Sequence, residues 1–179
     1  MSTVTIPLSP IVDLSEALAA IPVEAKPFLK QGFVALARLP DEKYLDLLTV
    51  AAELLVSRHL RPPPLGMASS RFGVPEQEIP ALLAAANVVV SVFSARDDTP
   101  QQFVQTAIQA GILGEANRGP ALALSELALK NRAPLNQVME RVRLGMTVLP
   151  SLAHLSTTVD VRPSVSQGRV SFAIPIALA

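Results

Sequence analysis

The chain has 179 residues and a mass of 19.0 kDa, and its 15 Lys+Arg balance 15 Asp+Glu. Half of it is hydrophobic and none of it is cysteine, which excludes intrinsic disorder, disulfides, a zinc ribbon and a thiol nucleophile. Zero net charge argues against a dedicated nucleic-acid binder, because affinity for phosphates needs a basic surplus. Charged residues make up 17%, against about 25% in ordinary soluble domains. Either the core is large for the chain length or some apolar surface meets a partner.

Residues 1–12 contain Pro7 and Pro10 without helical periodicity and are expected to form an extended arm, which with a short helix after it makes up segment 1–22. A helical domain is expected over 23–149. Asp13 or Ser15 is placed to cap the first short helix, with Leu14, Leu18 and Ile21 on one face. From about Glu24 to Leu39, Phe28, Leu29, Phe33, Leu36 and Ala37 recur at helical spacing. After Pro40, Asp41 is an acceptable cap for a helix striped by Tyr44, Leu47, Leu48, Ala51, Leu54 and Leu55, which ends by Arg61 before Pro62, Pro63 and Pro64.

A helical turn over Met67–Phe72 stops at Gly73, and Pro75-Glu76-Gln77-Glu78 has the proline and acids of a helix start. The uncharged run 79–95 falls short of the roughly 20 residues of a membrane span and reads as a buried central helix. Asp98 or Thr99 caps the next helix, whose first position is Pro100; Phe103, Val104, Ala107 and Ile108 line its apolar face and Gly111 closes it. Two more helices are expected, near Ala121–Asn131 and Leu135–Val148. No fixed period of a repeat solenoid recurs.

After Pro150 the period changes from helical to alternating. Leu155, Thr157, Val159 and Val161 alternate with Ser156, Thr158, Asp160 and Arg162. Val170, Phe172, Ile174, Ile176 and Leu178 alternate with small residues and Pro175. With Ser166–Arg169 as a four-residue loop, Val161 faces Ile174 and Val159 faces Ile176. The expected fold class is therefore α+β, predominantly α: an N-terminal helical domain followed by a short antiparallel β-hairpin over 150–179 that pairs in an oligomer. Two strands alone are marginal in water, and residues 151–179 carry only Asp160, Arg162 and Arg169 as charges. An apolar face of that kind calls for a cover, and Val159, Val161, Val170, Phe172, Ile174, Ile176 and Leu178 are the candidate interface.

Catalytic, cofactor and metal residues are not found. The two histidines, His59 and His154, lie far apart, with no acid at metal-box spacing. No phosphate-binding glycine motif follows a strand, and no nucleophile elbow is present. Asp97-Asp98 sits where a helix cap is needed and reads as one, not as a carboxylate dyad. Lys130, Arg132, Arg141 and Arg143 form a modest basic cluster, read as a solvated face. An alternative to an assembly role is a helical protein holding an apolar small ligand, with Ala84, Ala85, Ala86 and Val88–Val90 lining the cavity.

The order of a helical region followed by a short strand module resembles the COMM-domain (COMMD) family. Residues 152–178, LAHLSTTVDVRPSVSQGRVSFAIPIAL, carry the likeness: Val159-Asp160-Val161 stands where the family has V-D-V, and Thr157 and Thr158 stand where it has Trp and Arg. The family's third strand and C-terminal helix have no counterpart in 1–179, as in a divergent or minimal relative or a truncated chain. The resemblance implies a non-enzymatic scaffold that dimerises or oligomerises through its β module, with itself or with paralogous subunits, and recruits other proteins through its helical domain. In the family such subunits build the Commander assembly of endosomal recycling. It implies a cytoplasmic protein, endosome-associated if eukaryotic; that there is no cofactor, no nucleic-acid partner and no transmembrane segment is the expectation from the residues themselves.

Overall fold

The structure, a computed structural model, describes residues 13–56 and 64–144. These are predominantly helical: α1 (Leu14–Ala19), α2 (Lys26–Leu36), α3 (Tyr44–Val56), α4 (Leu65–Phe72), α5 (Ile79–Ala95), α6 (Pro100–Gln109), α7 (Arg118–Lys130) and α8 over 132–144. The chain divides into two units between Met139 and Glu140. The first contains α1–α7 and the beginning of α8; the described part of the second is the end of α8, where Arg143 donates to Glu140 at 2.7 Å. The alternating segment expected to form a hairpin lies outside the described residues.

Four helices begin in the same way. Ile21, Leu39, Val74 and Leu113 are each buried immediately before an extended residue, namely Pro22, Pro40, Pro75 and Gly114, with ψ of 140, 140, 143 and 147°. A single 3-10 turn follows, closed by a backbone bond from Ala25, Lys43, Glu78 and Asn117 to the carbonyl of that residue, 2.9 Å in every case. Leu29, Leu47, Leu82 and Ala121 then enter the core at the same distance along the chain. Proline presets φ and lacks the N–H that a helix start leaves unpaired, so it fits this position at no cost in hydrogen bonds. The buried residue ahead of it pins the angle at which the chain enters the helix. These starts recur at irregular intervals, which is why no fixed period is visible in the sequence.

α5 is the centre of the first unit and packs against α2, α3, α7 and α4. Eleven of its residues are buried, among them Ile79, Leu82, Val89, Val92 and Phe93. With its 3-10 turn, Glu76–Ala95 is 20 residues long and apolar enough to cross a bilayer by length and composition, and 67% of it is buried inside the protein. The closest helix crossing is between α2 and α5. A Cβ at Gly32 would overlap the Ala81 carbonyl and stand 2.9 Å from the Ala85 Cβ, so only glycine lets the two backbones approach. At the far end of α5, Phe93 meets Phe103 of α6 edge-to-face, with ring centroids 5.6 Å apart.

One detail differs from the sequence expectation, one decides between two expected caps, and one agrees with it. Phe28 and Leu55, placed on apolar stripes by spacing, are 42% and 38% exposed, because Gly32 and Ala35 on α2 and Val50 and Ala52 on α3 face the core in their stead. The α6 cap is Thr99, whose Oγ1 accepts from the Gln102 N–H while the Gln102 side chain accepts from the Thr99 N–H at 2.9 Å, a capping box. Gly73 and Gly111 both take positive φ, 69° and 79°, just past α4 and α6.

Candidate functional site

The seven residues expected to form the interface, Val159, Val161, Val170, Phe172, Ile174, Ile176 and Leu178, lie outside the described residues, as do His59 and His154. Among the described residues no group of three or more His, Cys, Asp or Glu is placed to hold a metal ion.

The acidic pair after α5 is not a cap. Asp98 bonds Arg96 and Asp97 bonds Arg132 of α8, leaving Thr99 to cap α6. Two carboxylates turned to separate guanidiniums do not share a proton, so this is not an acid–base dyad. Arg96 is the more enclosed of the two cations, with a side chain 11% exposed. Beside this corner, Val90, Phe93, Ala128 and Leu135 line a depression whose polar members are Ser94, Arg132 and Asn136. It encloses about 160 Å³, none of which admits a water-sized sphere. A drug-sized ligand needs roughly 300 Å³ or more.

The small residues of α5 pack helix against helix. Ala85, Ala86, Val88, Val89 and Val90 are buried and belong to the contiguous core, with Ala84 partly buried against it. Asn87 is half-buried on the same helix, and its Oδ1 has no hydrogen-bond partner among the described residues.

Six ion pairs join described charges. Arg38 donates through Nη1 to both Glu78 oxygens at 2.7 and 2.9 Å, tying the end of α2 to the start of α5. Arg71 of α4 grips Asp46 of α3 through Nε at 2.6 Å and through Nη2, and this bond holds its guanidinium above the usual range. The expected basic cluster is broken up accordingly: Arg132 serves Asp97 and Arg143 serves Glu140. Tyr44 is buried at the start of α3, and burial first, then the Asp41 carboxylate, raises its phenol above the ordinary value.

The exposed surface also carries apolar and uncharged polar residues. Val23, Phe28 and Val34 are exposed on and beside α2, Leu65 and Met67 on α4, and four glutamines on α6. No protein family, curated protein or solved structure matches the chain. The COMM-domain resemblance therefore rests on the chain's own residues.

Proposed function

We propose that this protein is a non-enzymatic scaffold that self-associates through its C-terminal segment and recruits partners through its helical domain, in the manner of the COMM-domain subunits it resembles. The observation that carries the reading is the alternation within 155–161 and 170–178, which puts Val159, Val161, Val170, Phe172, Ile174, Ile176 and Leu178 on alternate positions in a segment, 151–179, with three charges. The helical domain supports it from the other side. Its largest side chains, Phe33, Phe72, Phe93 and Phe103 with their leucine and isoleucine neighbours, already fill one contiguous core. A second apolar set on the same chain then finds its natural cover on another subunit, a copy or a paralogue.

Light scattering of the full-length chain tests this. The wild type should give at least twice the monomer mass at micromolar concentration. Phe172→Asp or Ile174→Asp should reduce it to the monomer, since each buries an unpaired charge in an apolar contact. A monomeric wild type defeats the proposal, and fully assembled variants move the contact away from this segment.

A further inference from the structure

We draw no further inference here: the strongest candidate, the half-buried stripe of small and polar residues along α5 (Pro80, Ala84, Asn87, Ser91 and Ser94), where the Asn87 Oδ1 has no hydrogen-bond partner among the described residues, is an unpartnered helix face, and nothing in the structure shows what covers it.

Discussion

Two glycines show how one residue type serves opposite ends. Gly32 lies in the regular interior of α2, where glycine costs about 1 kcal/mol relative to alanine in helix propensity. It is kept there by contact, because any Cβ runs into the backbone of Ala81. Gly73 has open space where its Cβ would be, and its φ of 69° is the whole constraint. Gly32→Ala should therefore lower stability by about 2 kcal/mol or more, despite the gain in propensity, and no other side chain should rescue it. Gly73→Ala should cost about 1 kcal/mol, and Gly73→Asn should recover most of that, because asparagine tolerates the left-handed region. Chemical denaturation of the three variants checks both; equal losses for Gly32→Ala and Gly73→Ala would contradict the close crossing of α2 and α5. Tyr44 offers a test by pH. It is the only tyrosine, and there is no tryptophan, so tyrosinate absorbance reports on it alone. Its folded pKa is raised, so above about pH 10 the unfolded state ionises first and stability is lost as pH climbs toward the folded value. The absorbance midpoint should lie above that of the denatured chain, and Tyr44→Phe should remove this part of the alkaline loss.

At the scale of elements, the sequence is legible wherever proline or glycine punctuates it. The starts at Pro40 and Pro75 and the stops at Gly73 and Gly111 are visible in the residues, and so is the buried run from Ile79 to Ala95. What spacing could not separate was which edge of a broad apolar stripe turns inward. On α2 the stripe admits either Phe28 or Gly32 and Ala35, and the close approach of Ala81 and Ala85 selects the small residues. The cap of α6 was ambiguous for a similar reason. Asp98 and Thr99 are both good caps, and Arg96 decides between them by holding Asp98. The shared helix start was hidden by its irregular intervals, yet it makes a prediction of its own. Gly114 is the one member without proline; its φ of −90° is near the proline range, and an added Cβ would meet only the flexible end of Lys30, at 3.3 Å, and the Asn117 amide. Gly114→Pro should raise stability by about 0.5–1 kcal/mol, read as a higher melting temperature. A loss of stability would show that the four starts are less alike than their backbone angles.

At the scale of the whole molecule, the low charge content has two separate sources in the described residues. α5 carries no charge because it is the core; α6 carries none although one of its faces is open to solvent. Burial explains the first; on the second, glutamine amides supply polarity without charge. The C-terminal segment is also poor in charge, with three charged residues over 151–179, and its role can be tested by removal. A chain ending at residue 144 keeps every described helix and every described residue of the core cluster. It should retain its helical circular dichroism and melt cooperatively, because that cluster, from Leu14 to Met139, is contiguous by itself. By light scattering it should lose the stable oligomer and give the monomer mass. Loss of cooperative melting in the shortened chain would mean that the helical core depends on the C-terminal segment. An unchanged oligomer would assign the stable contact to the helices and refute the scaffold reading of residues 155–178.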